Sequence, residues 1–229
     1  MVLSGYTNVL IDGIEIVLFP AIFTQAAHFW PIDTVMIAPE LLIEEFPATL
    51  KTVTEFEAWQ NEQGEEGNYE FVRGRIIPKP AMKQNEFYIV KFLNRLFIGT
   101  EAFREGYELL QEGDSYVDTE RKRIPDLALF SDEQIKKARN GVRSGTLFAV
   151  EILSDSEKEN DIIEKITERG PQDYFDAGVQ LVWYIAPKFQ KIYAYTSPDD
   201  IRVFRGEQII SAAPVLPGFQ FAVADMFRE

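Results

Sequence analysis

The sequence predicts an α/β domain over residues 45–229, preceded by an N-terminal extension, residues 1–44, that does not share its pattern. Three observations carry this reading. Amphipathic helical stretches alternate with short strand-like runs from about Leu50 onward. Two of those runs, Thr146 to Leu153 and Leu181 to Ala186, are nearly continuous in apolar residues, as central strands covered on both faces are. The 229 residues are 46% hydrophobic and 13% aromatic, which is ample for a buried core.

The extension holds irregular apolar clusters, Val9 to Ile11 and Ile14 to Phe19, with no sustained period and no basic residue before Lys51. Met36 is the expected biological start, or residues 1 to 40 a loosely attached segment; the alternative is an ordinary hairpin turned at Asp12-Gly13. Ile14 to Phe23 is about half of the ~20 residues a membrane span needs, and it contains Glu15 and Pro20. With no charged n-region it does not read as a signal peptide either, so cytoplasmic residence is expected.

Regular structure begins at Thr52-Val53-Thr54-Glu55, a capping box opening a helix that ends near Gly64. Tyr69 to Pro78 alternates around Arg73-Gly74 and reads as a β-hairpin. Phe87, Val90, Leu93, Leu96 and Phe97 recur at helical spacing. Strands are expected over Tyr107 to Val117, Ile124 to Phe130 and Thr146 to Leu153, with a polar helix at Ser131 to Asn140. A second capping box, Ser156 to Glu159, opens a helix running toward Ala177 that Gly170-Pro171 should break. Leu181 to Ala186, Gln190 to Tyr195, Ile201 to Phe204 and Gln208 to Ser211 complete the strands.

Composition narrows the chemistry. There is no cysteine and one histidine, His28. This removes thiolate sites, histidine-based triads and ordinary zinc centres. What remains is carboxylates, lysines, hydroxyls and a hard cation with oxygen ligands. The formal net charge of -14 opposes casual DNA binding, so a nucleic-acid partner would be held weakly, through local cations or a bridging metal. Arg121-Lys122-Arg123 and the group Lys136, Lys137, Arg139 and Arg143 are candidate phosphate contacts; an ordinary solvated face explains them equally well.

Four residues form a constellation. Asp126 follows Pro125 at the start of a strand, and Glu151 lies near the end of the next one between Val150 and Ile152, where a charge is costly without a partner. Glu70 interrupts the alternation of the hairpin, and Lys165 lies on the helix after Glu151. Two acids on neighbouring strands can bind Mg²⁺, which polarises a phosphate and activates water, while a lysine positions that water. Each also has a plainer reading: turn chemistry for Asp126, an arginine partner for Glu151, a structural role for Glu70, a solvated surface for Lys165.

The ordered set Tyr69-Glu70, Gly74-Arg75-Ile76, Pro125-Asp126, Glu151-Ile152-Leu153-Ser154, Tyr174, Gly178-Val179, Val182-Trp183, Leu216 to Phe219 and Asp225-Met226-Phe227 resembles the Uma-two family. These restriction-endonuclease-like proteins are abundant in cyanobacteria and carry a PD-(D/E)XK nuclease core. The resemblance implies a restriction-endonuclease-like mixed β-sheet flanked by helices, Mg²⁺ or Mn²⁺ held by Asp126 and Glu151, an accessory Glu70, and metal-dependent hydrolysis of DNA. Two departures stand out. The signature lysine, two residues after the second acid, is here Leu153, so its role passes to Lys165. Thr167 to Pro171 also looks inserted between Lys165 and Tyr174. A nuclease-fold binding or regulatory module without cleavage is the alternative, and an oligomerisation protein, a homodimer built on strands bearing Tyr193 and Tyr195, is a third.

Overall fold

The computed structural model of the protein describes residues 7–11, 14–18, 47, 49–63, 67–153, 159–168 and 170–228. The chain divides into two compact units, 1–44 and 45–229. In the first, β1 (Thr7–Ile11) and β2 (Ile14–Leu18) pair antiparallel with Ile11 opposite Ile14. Asp12, Gly13 and Met36 lie outside the described residues.

The second unit opens with α1 (Val53–Gln63), and its capping box forms in both directions. The Glu55 N–H donates to Thr52 Oγ1 at 3.2 Å, and the Thr52 N–H donates to the Glu55 carboxylate at 3.0 Å. The hairpin follows as β3 (Tyr69–Val72) and β4 (Arg75–Pro78). Both residues of its two-residue loop, Arg73 (φ 48°) and Gly74 (φ 82°), take the left-handed conformation that matches the strand twist. Next are α2 (Phe87–Ile98), which buries Ile89, Val90, Leu93 and Phe97, and the short α3 (Glu101–Arg104).

Two expected strands are each split. Tyr107 to Val117 becomes β5 (Glu108–Gln111) and β6 (Ser115–Tyr116), parted by Glu112 in the left-handed region (φ 49°). The next run becomes β7 (Arg121–Arg123) and β8 (Leu127–Phe130), parted at Pro125-Asp126. Proline has no N–H to continue a ladder, and the chain crosses there from one sheet into another. The rest comprises α4 (Asp132–Ala138), β9 (Phe148–Ile152), α5 (Ile162–Glu168), α6 (Pro171–Asp176), β10 (Leu181–Ala186), β11 (Lys191–Ser197), β12 (Asp200–Arg205), β13 (Ile209–Ser211), β14 (Gln220–Ala222) and α7 (Val223–Met226). The long helix expected up to Ala177 is thus two helices, broken at Gly170 (φ 66°) with Pro171 as the first residue of α6. The capping box at Ser156 falls outside the described residues.

A six-stranded mixed sheet, ordered β12-β11-β10-β9-β8-β5, forms the centre, with β9 and β10 parallel and every other neighbouring pair antiparallel. A smaller antiparallel sheet, ordered β4-β3-β7-β6, carries α1 through a cluster of Val53, Phe56, Tyr69 and Phe71. Alternation along β9 and β10 sends Val150, Ile152, Trp183 and Ile185 into a core shared with α2, β13, β14 and α7. The opposite face sends Ala149, Val182 and Tyr184 against Ile162, Ile166 and Tyr174 of α5 and α6. Tyr193 and Tyr195 are buried in this second core, so they cannot form the oligomer surface the sequence suggested. Among the described residues no helix is long and apolar enough to cross a membrane.

Candidate metal site at the sheet crossover

The register of β8 on β9 pairs Leu127 with Val150, so one further step places Asp126 opposite Glu151. Directly opposed residues of an antiparallel pair project to the same face. Asp126 is 8% exposed and Glu151 3%, and both carboxylates reach one ammonium: Lys79 Nζ lies 3.0 Å from Asp126 Oδ1 and 3.3 Å from Glu151 Oε2. The Ile152 N–H donates to Asp126 Oδ2, and the buried Tyr174 hydroxyl donates to Glu151 Oε1. Each acid is therefore oriented by a donor independent of the lysine.

Glu70, on β3, stands on the neighbouring sheet. Its carboxylate accepts from Arg123 Nη1 at 2.8 Å and from the Ile124 N–H at 2.9 Å. Glu70, Lys79, Asp126 and Glu151 all line a cleft of about 220 Å³, together with Pro78, Pro80, Lys83, Glu86 and Ile152. Three of the four expected site residues thus share one cleft. Lys165 lies on α5, and its side chain is outside the described residues.

The electrostatics of the cluster follow from its burial. Burial, then the Glu151 charge, pushes Asp126 up to about 6, against the opposing pull of Lys79 and the Ile152 N–H. Burial would lower the Lys79 ammonium, yet Glu151, Asp126 and Glu70 outweigh it and hold the lysine protonated well above its usual range. Burial, followed by the Glu151 charge, raises the Tyr174 phenol far above its ordinary value, which keeps it a donor. Among the described residues no group of three or more His, Cys, Asp or Glu converges as a ready-made cage. Two carboxylates facing a cleft are nevertheless the donor set Mg²⁺ takes when water and substrate phosphate complete its octahedron. The residues present fit such an ion.

Lys79 escapes sequence reasoning because its partners are distant, 72 positions away in the case of Glu151. The available signal is Pro78-Lys79-Pro80, a long cationic side chain on a segment that two prolines hold extended. The charge run Arg121-Lys122-Arg123 is the clearest correction. All three residues are buried and committed: Arg121 to Asp118, Asp173 and Asp176; Lys122 to Asp114 at 3.2 Å and over the Phe56 ring; Arg123 to Glu70 and Asp173. They form no phosphate-binding face. The run is internal because α6 supplies Asp173 and Asp176 as partners from 50 to 55 residues away.

A central mixed sheet flanked by helices is the architecture of the restriction-endonuclease-like fold. The chain belongs to the Uma2 family, described as "Putative restriction endonuclease", whose profile matches residues 53–224. Among solved structures it is similar to "a putative nuclease belonging to DUF820" from Anabaena variabilis, with a TM-score of 0.56 and 18% identity over 69% of this chain and 89% of that one. At that identity the likeness speaks to the fold. No curated protein matches the chain.

Proposed function

We propose that this chain is a metal-dependent nuclease that hydrolyses phosphodiester bonds in DNA. The carrying observation is the acid pair: Asp126 and Glu151 face one cationic position, buried yet open to a cleft. Family membership supports the same reaction class. Asp126 and Glu151 would hold Mg²⁺ or Mn²⁺, which supplies Lewis acidity and a more acidic bound water. The chain's own contribution is orientation. The Ile152 N–H and the Tyr174 hydroxyl fix the two acids, and Arg123 Nη1 orients Glu70, which lines the same cleft, as an accessory acid.

DNA is the proposed partner, held weakly. A net charge of -14 repels it at long range, and Arg121, Lys122 and Arg123 are withdrawn into ion pairs. Lys83, exposed on the cleft wall, is placed to meet a phosphate. Supercoiled plasmid incubated with Mg²⁺ or Mn²⁺ should be nicked and should stay intact in chelator. A plasmid left intact with either ion would instead favour a nuclease-fold binding module without cleavage.

A further inference from the structure

We propose that Lys79 is the active-site lysine, acting on the attacking water and the scissile phosphate from the Pro78-Lys79-Pro80 segment at the end of β4. This rests on the nuclease reading above and adds to it a residue on a hairpin remote from both acids in sequence. The first support is distance. A cation shared by Asp126 and Glu151 must sit among the same oxygens that Lys79 Nζ already contacts at 3.0 and 3.3 Å. An ammonium displaced from them by such a cation stays within reach of whatever that cation binds.

The mount is the second support. The Lys79 N–H is pinned to the Asn68 carbonyl at 2.8 Å, and the flanking prolines fix the backbone on either side. The side chain is 9% exposed, and it points into the cleft that Glu70, Asp126 and Glu151 line. The third support is the position where the fold's signature would place its lysine. Leu153 there is apolar and fully buried in the core that α5 and α6 cover, so the position supplies no cation. Lys79 approaches the same carboxylate oxygens from the opposite sheet.

The choice of residue type is the fourth. Where this protein holds the buried Asp173, it uses an arginine fork, Arg123 Nε and Nη2 on one carboxylate. A lysine is a point charge with three rotatable donors on a flexible stem, suited to exchanging a carboxylate for a phosphate. In the reaction the water oxygen forms the new P–O bond. The P–O bond to the leaving sugar oxygen breaks with its electron pair, and the water's proton reaches that oxygen through solvent. Lys79 keeps its protons, donating hydrogen bonds to the water and to a non-bridging oxygen as negative charge develops there.

The test compares wild type, Lys79→Met, Lys79→Arg and Lys165→Met by circular dichroism, Mn²⁺ calorimetry and single-turnover plasmid cleavage. Lys79→Met should bind Mn²⁺ at least as tightly as wild type, because no ammonium contests the carboxylates, and lose about 10²-fold or more in cleavage. With Lys79 in the role, Lys165→Met should lose far less cleavage than Lys79→Met. Should Lys79→Met fail to fold, Lys79→Arg decides: it keeps the charge, and a loss of about tenfold or more supports the assignment. A folded Lys79 variant that cleaves like wild type overturns it, as does transfer of the large loss to Lys165→Met. Wild type that neither binds Mn²⁺ nor nicks DNA ends the nuclease reading itself, and the role of Lys79 with it.

Discussion

Two clusters of carboxylates are pulled in opposite directions, one closed by arginines and the other spanned by a lysine. In the first, Arg121 and Arg123 close on Asp118, Asp173, Asp176 and Glu70. Its carboxylates are satisfied. At Asp118 burial works upward, but hydrogen bonds from Arg121 win, and at Asp176 the Arg121 hydrogen bond leads, so both sit below their ordinary value. In the second, Lys79 spans Asp126 and Glu151, and Asp126 is driven upward by burial and by its neighbour. Paired forks make a rigid joint between α6 and the smaller sheet. An acid pair opposed on adjacent strands and open to a cleft is the arrangement the proposed metal needs.

The largest expected effect is at the joint. Arg123→Met leaves Asp173 and Glu70 without their shared guanidinium, and breaking a buried pair from one side costs about 3–5 kcal/mol. Gly170 adds to this: a Cβ there would meet Arg123 Nη2 at 2.4 Å, so the guanidinium and the glycine occupy complementary space. Urea denaturation measures the loss. The comparison sharpens when Mg²⁺ is added, because the ion should restore stability to Lys79→Met and none to Arg123→Met.

A smaller effect depends on pH. With its folded value near 6, above the ordinary carboxyl range, Asp126 holds its proton more tightly in the native than in the unfolded chain. Its contribution to stability is therefore complete below about pH 4 and is lost as pH rises through 6, at up to roughly 1.4 kcal/mol per pH unit. In chelator, wild type should lose stability relative to Asp126→Asn between pH 4.5 and 7.5, and Mg²⁺ should reduce that difference. Melting curves of both proteins at the two pH values check this. Equal slopes would place Asp126 with the satisfied carboxylates of the arginine knot.

The same contrast explains what could be read from the sequence. Asp126 and Glu151 were legible because strand alternation and the Pro125 break are local, and two neighbouring strands need only a register to bring the acids together. The hairpin turn was legible too, since Arg73-Gly74 is adjacent chemistry. Lys79 was not, because nothing near Pro78 encodes an acid pair that β8 and β9 bring to it. Arg121-Lys122-Arg123 was misjudged for the same physical reason: a charge run is normally solvated, and only the docking of α6 makes it internal. Local signals specified elements and faces, while pairing of buried charge came from tertiary contact.

The smallest effect is expected at the other end of the chain. Residues 1 to 40 lack sustained periodicity, so a protein starting at Met36 should melt within about 2 °C of the full chain. A large drop would make the extension part of the stabilising core.

The central claim, that Asp126 and Glu151 exist to hold a cation, is tested most directly by Mg²⁺ calorimetry on wild type and Glu151→Gln, with thermal melts of both. The amide is isosteric and can still accept from the Tyr174 hydroxyl, so wild type should bind Mg²⁺ measurably, Glu151→Gln should bind none, and the variant should melt no lower than wild type in chelator. A variant destabilised by about 3–5 kcal/mol, beside a wild type that takes up no Mg²⁺, would contradict it and make Glu151 one half of a structural ion pair.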